Sequence, residues 1–142
     1  REVTPKYATF AEKSAAFLLA QGFKANQLQS IPAPASAQNR TFLSAVMVRT
    51  WFDKQNLAPK SFDIFSADVH ARRTHQLYQM AFYDKADIGI IPAKTDRYDM
   101  ASWWQTSEGI KTVLTEFIGV TYTFCCFDPG PFNSHQERWG VS

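Results

Sequence analysis

The sequence predicts an α/β fold built on a parallel sheet, and three observations carry that expectation. Helical and strand-like segments alternate as helix, strand, helix, strand, helix, strand, helix, the order of a layered α/β architecture. "ADIGIIPA", at 86–93, is a compact apolar run of the kind buried in parallel sheets, broken by Gly89 and ended by Pro92. Ile110, Val113, Leu114, Phe117, Ile118 and Thr121 fall at offsets 0, 3, 4, 7, 8 and 11, the repeat of one buried helical stripe.

Each element has its own local reason. Thr9 followed by Glu12 is a capping box, so "FAEKSAAFLLAQGF" reads as a helix with Phe10, Phe17 and Leu18 among its buried positions and Gly22 as its stop. "QLQSIPAP" supplies a strand at 28–31, and Pro32, Pro34 and "ASAQN" make the loop after it. A second helix begins within 39–41. Its apolar residues lie on several faces (Leu43, Met47 and Trp51; Phe42 and Val46; Ala45, Val48 and Phe52), so it packs on more than one side.

"LAPK" turns the chain into "SFDIFSA", a strand over 61–66, and "RRTHQLYQMAF" is the helix beyond it. A strand at 87–91, the long loop "KTDRYDMAS" and the last helix follow. The expectation is three parallel strands and four helices in a single α/β domain over 1–127, with an irregular tail over 128–142 that has turn chemistry and no periodicity.

Composition bounds the function. The 142 residues are 45% hydrophobic and 15% aromatic, enough apolar surface to fold rather than stay disordered. Basic residues exceed acidic ones by 15 to 13, too small an excess for a protein whose main partner is nucleic acid. No run reaches the ~20 apolar residues of a membrane span, and "REVTPKYATF" has no signal-peptide pattern. Cys125 and Cys126 are adjacent, a spacing that strains an intrachain disulfide, and they read as plain thiols. No Gly-rich phosphate loop, nucleophile elbow or metal-spaced Cys/His set is present, so no metal is expected.

The chemistry concentrates in "FSADVHARRTHQLY", at 65–78, where a strand hands over to a helix. Ligands of open parallel sheets bind beyond the carboxyl ends of the strands, where helix amides favour anions. His70 and Arg73, three apart, share a helix face, while Arg72 points about 100° away. An imidazole, a guanidinium fork and free amides suit a phosphate, sulfate or carboxylate. The bland alternative makes the arginines solvated, His70 a helix cap and Asp68 an N-cap.

"NRTFLSA" opens the second helix, where Arg40 adds a charge and Thr41 a hydroxyl, unless Asn39 or Thr41 is a plain cap. In "SWWQTSEG", Trp103 and Trp104 form a stacking wall or simply pack, and Ser102 or Thr106 caps the last helix. If the protein is an enzyme, His70 is the side chain for proton transfer, since a free imidazole titrates near working pH.

Together, "NRTFLSA", "FSADVHARR", "IGIIP" and "WWQTSEGIKTVLTEFIG", in this order, resemble the SanA/ElyC/YdcF family of bacterial envelope-associated domains over residues 8–122. The resemblance implies a Rossmann-like three-layer fold and assigns Thr41 and Ser44 to one family signature and His70 and Arg73 to another. Ser44 stands where many members have Asn; Arg40, Arg72, Trp103, Trp104, Ser107 and Glu116 match only a closer branch. No settled reaction comes with the family. It implies roles in envelope biogenesis, with S-adenosylmethionine binding attributed to one member, and the residues themselves lead to an anionic small molecule, nucleotide-like or a phosphorylated envelope precursor, held by Arg40, Thr41, His70 and Arg73. The alternative is a non-catalytic scaffolding module of an envelope assembly.

An amino-terminal membrane helix is common in the family, which implies an inner-membrane or periplasmic place through a segment absent here. Members also begin with a strand, a Gly-rich turn, a helix and a further strand. Their absence here implies the carboxyl-terminal part of a longer protein, with sheet edges and apolar helix faces either exposed or covered by another chain that completes the sheet.

Overall fold

A computed structural model describes residues 7–35 and 38–140. The flanking residues, and Ser36 and Ala37 of the expected proline loop, lie outside the described set. The chain divides into two compact units, 1–36 and 37–142.

In the first unit, α1 (Phe10–Ala20) starts as the capping box requires. Thr9 Oγ1 accepts from the Glu12 N–H at 3.2 Å, and Glu12 Oε2 reaches back to the Thr9 N–H at 3.3 Å. Gly22, at φ +98°, ends it, with the Phe23 and Gly22 amides donating to the Leu18 and Leu19 carbonyls. Two expectations fail in this unit. α1 has no buried residue, and Phe10 and Phe17 are 85% and 63% exposed. Residues 28–31 form no strand: Leu28 is locally extended (φ −121°, ψ 133°), but no described strand pairs with it, and Pro32 and Pro34 offer no amide to continue a ladder.

The second unit contains α2 (Arg40–Lys54), β1 (Ser61–Ala67), α3 (Ala71–Phe82), β2 (Asp87–Ala93), α4 (Ser107–Cys125) and α5 (His135–Trp139). β1 and β2 pair in parallel, Ser61 opposite Asp87 through Ala67 opposite Ala93, so the sheet has two described strands where three were expected. The second strand runs past Pro92 to Ala93, two residues beyond the expected end.

Alternation decides what each sheet face meets. Phe62, Ile64, Ile88 and Ile90 turn toward α2 and α3 and join Phe42, Ala45, Val46, Leu77, Ala81 and Phe82 in one core. The rings of Phe52, Phe62 and Phe82 interlock there, with centroids 5.0–6.2 Å apart. The other face carries Phe65 beside Ile91 and Ala67 beside Ala93, and Phe65 is 74% exposed.

α4 is oriented against its own periodicity. The expected stripe is the exposed side: Ile110, Leu114, Phe117 and Ile118 all face solvent, whereas the helix buries Gly109, Glu116 and Thr123. The cause is specific contact rather than hydrophobicity. Gly119 lies against the Arg73 side chain, where an added Cβ would meet Cδ and Nε at 3.2 Å, and Glu116 binds the same arginine.

The tail is not irregular throughout. α5 is capped by Ser134 Oγ, which accepts from the Glu137 N–H at 3.1 Å, and Glu137 is itself buried. It pairs with Arg49 of α2, whose Nη1 and Nη2 each donate to Glu137 at 2.8 Å and whose Nη1 also donates to the Ala81 carbonyl at 2.6 Å. Cys125 and Cys126 are disulfide-bonded rather than free. They stand where α4 ends, and Cys126, at φ −143° and ψ −8°, has left helical geometry, which frees the backbone to bring adjacent sulfurs together.

Among the described residues no helix is long and apolar enough to cross a membrane.

Candidate functional site

The strand-to-helix handover after β1 is a 3₁₀ turn, Asp68–His70, that runs directly into α3. Neither that turn nor α3 has a side-chain cap, so Asp68 is not the N-cap that its position suggests, and His70 holds the N-cap position of α3 without capping it. His70 and Arg73 do share a face. What they face is not open solvent but Glu116 of α4.

Arg73 grips that carboxylate with two bonds, Nε to Oε2 at 2.9 Å and Nη2 to Oε1 at 2.8 Å, and His70 Nδ1 lies 2.7 Å from Oε1. Glu116 is only 5% exposed. The protein thus supplies its own anion where a bound one was expected, and most of the Arg73 fork is already used. Arg72 is exposed, as its angular position requires.

The surroundings add negative charge. Burial pushes the Tyr98 hydroxyl above its ordinary range, and the Asp68, Glu108 and Glu116 carboxylates push the same way against a hydrogen bond with Thr112. The end of the sheet near His70 is therefore mixed in charge.

A separate cavity of about 60 Å³ lies at the start of α2, lined by Asn39, Arg40, Thr41, Arg73, Tyr122 and Phe127 with Leu77, Gly119 and Thr123. It brings together Arg40, Thr41 and Arg73 of the sequence-predicted residues. Asn39, at φ 52°, gives no side-chain cap, so the first-turn amides of α2 receive no acceptor from it. Arg40 is exposed and carries no ion pair among the described residues. The volume admits a phosphate- or carboxylate-sized group and falls well short of the ~300 Å³ at which pockets begin to enclose drug-sized ligands.

The remaining candidates lie elsewhere. Ser44 Oγ donates to the Arg40 carbonyl at 2.9 Å, one turn back in the same helix, and Ser44 is not part of the cavity lining. Trp103 and Trp104 contact each other edge to face at 6.0 Å and are likewise absent from the lining. Their motif has a local structural account. Thr106 Oγ1 accepts from the Gly109 N–H at 3.0 Å to cap α4, and a Cβ at Gly109 would collide with the Trp103 carbonyl oxygen.

Sequence reasoning missed Arg49 and Glu137 at the centre of the packing and named Glu116 only as a branch match without a partner, and the signals were present. Glu116 sits alone in "VLTEFIGV" and Arg49 alone in "VMVRTWF", and an isolated charge in an apolar helix needs a partner. Glu137 follows Ser134 in an S-x-x-E pattern, the mark of a helix start.

Compared with protein-family models, with curated proteins and with solved structures, the chain finds no match.

Proposed function

We propose that the protein binds the anionic end of a small molecule, nucleotide-like or a phosphorylated envelope precursor, in the cavity of Arg40, Thr41 and Arg73, as a bacterial envelope-associated domain of SanA/ElyC/YdcF type. The observation that carries the reading is the start of α2. Its first turn has no side-chain cap, Arg40 is unpaired among the described residues, and Asn39, Arg40 and Thr41 line a cavity of phosphate size. Amides, a guanidinium and the Thr41 hydroxyl are the donor set that an oxyanion needs.

The finer architecture belongs to the same proposal. The parallel pair is part of a Rossmann-like three-layer sheet, which accords with the apolar outer face of Phe65 and Ile91, since parallel sheets are ordinarily covered on both sides. An inner-membrane or periplasmic place, through a segment outside this chain, rests on the family resemblance.

Calorimetric titration with inorganic phosphate, nucleotides, S-adenosylmethionine and lipid-linked sugar phosphates tests the binding. Arg40→Ala is expected to weaken the anion that binds by about 1.5–3 kcal/mol, the range for a hydrogen bond to a charged group, and Arg72→Ala by much less. Equal losses at Arg40 and Arg72 would reduce the effect to general electrostatics.

A second reading, a non-catalytic interaction module, is favoured by α4. Ile110, Leu114, Phe117, Ile118 and Phe124 make an exposed apolar face that fits contact with another protein chain. A variant with Phe117 and Ile118 made polar, yet still binding phosphate, would separate the two readings.

A further inference from the structure

Glu116 has a second role open to it beyond holding α4 to α3. Its two bonds to Arg73 fix the plane of the carboxylate, and its side chain is only 6% exposed, so Oε1 stays in place against His70 Nδ1 at 2.7 Å. That contact occupies one imidazole nitrogen and leaves the other, Nε2, on a side chain that is 44% exposed. His70 lies three residues past Ala67, beyond the carboxyl end of β1, where open parallel sheets place their ligands. His75 is held the other way round: its Nε2 donates to the Ile88 carbonyl at 2.6 Å, so Nε2 is not an acceptor there.

We propose that Glu116 is a positioning residue that holds His70 as the Nδ1–H tautomer, so that Nε2 acts as a proton acceptor toward a water or hydroxyl group of the ligand. In that step the O–H bond breaks, an N–H bond forms at Nε2, the electron pair stays on oxygen, and the imidazolium keeps its Nδ1–H on the Glu116 carboxylate, which it shares with Arg73. A fixed carboxylate on one ring nitrogen is how an imidazole is oriented for general-base work. The identity of the ligand rests on the anion-binding reading. The dyad does not, and it is tested without any ligand.

Long-range ¹H–¹⁵N correlation spectra of the full chain, recorded at a pH where the imidazoles are neutral, are expected to show His70 protonated at Nδ1. Glu116→Gln keeps the shape of the side chain and is expected to shift His70 toward the Nε2–H tautomer. p-Nitrophenyl acetate then reports on Nε2 itself, which attacks the ester carbonyl while p-nitrophenolate leaves. Release attributable to His70, defined by subtracting the His70→Ala rate, is expected to fall about tenfold or more in Glu116→Gln.

A wild-type His70 in the Nε2–H form overturns the proposal. So does a folded Glu116→Gln variant with unchanged release, the result expected if Glu116 is only a strut. Should that variant fail to fold, the wild-type tautomer still decides. Loss of phosphate binding with the tautomer intact would count against the anion site alone.

Discussion

At the scale of single residues, the structure turns on two buried acids, Glu116 and Glu137, that neutralise arginines. Burial alone raises the Glu137 carboxyl, but hydrogen bonds from Arg49 and the Asn133 N–H, the Arg49 charge and the Tyr83 hydroxyl together hold it below the ordinary glutamate range. A depressed folded value means that its contribution is complete above about pH 4.3, the unfolded-chain value, and is lost as pH falls through the lower folded one. Urea midpoints for Glu137→Gln are therefore expected to depend less on pH than wild type over that acid window. At neutral pH, Glu137→Ala strands Arg49, which is 6% exposed and whose Nε already lacks a partner among the described residues, and is expected to cost about 3–5 kcal/mol. A loss under about 1 kcal/mol would mean that the pair opens to water.

At the scale of elements, α4 shows why periodicity identified a helix and mistook its face. The 3.6-residue repeat of Ile110, Val113, Leu114, Phe117 and Ile118 is real, and α4 forms as read. The face turned inward is nevertheless Gly109, Glu116, Gly119 and Thr123, because a bidentate ion pair and the close approach of Gly119 to Arg73 outrank apolar area in setting its rotation. Phe117→Gln is accordingly expected to change stability by no more than about 0.5 kcal/mol, as at other exposed positions. Leu77→Ala, in the core between the strands and α2, is expected to cost about 2–5 kcal/mol. Chemical denaturation of the two variants side by side checks the assignment, and a large loss at Phe117 would mean that the stripe is buried in solution.

At the scale of the whole molecule, apolar surface is distributed unusually. Phe65 and Ile91 on the outer sheet face, and Ile110, Leu114, Phe117 and Ile118 on α4, are all substantially exposed. Surfaces of that kind associate. Sedimentation velocity of the isolated chain is expected to show concentration-dependent association, reduced when Phe117 and Ile118 are replaced by Gln. A monomer at all concentrations would show that these faces are tolerated in water.

Local chemistry made much of the fold legible. The Thr9–Glu12 box, the Gly22 stop, the Thr106 cap and the β1–α3–β2 succession follow from short-range hydrogen bonding and backbone geometry, which act within a few residues and are written in neighbouring letters. The shared face of His70 and Arg73 was likewise fixed by helix geometry. What the two residues face was decided by α4, from 43 residues further along the chain, and the Arg49–Glu137 pair spans 88. Likewise 28–31 has strand-like letters and no strand, since a ladder needs a partner that sequence-local preference cannot supply. Propensity chose the elements, whereas charge pairing across long separations chose their rotation, and with it which side chains meet at the site.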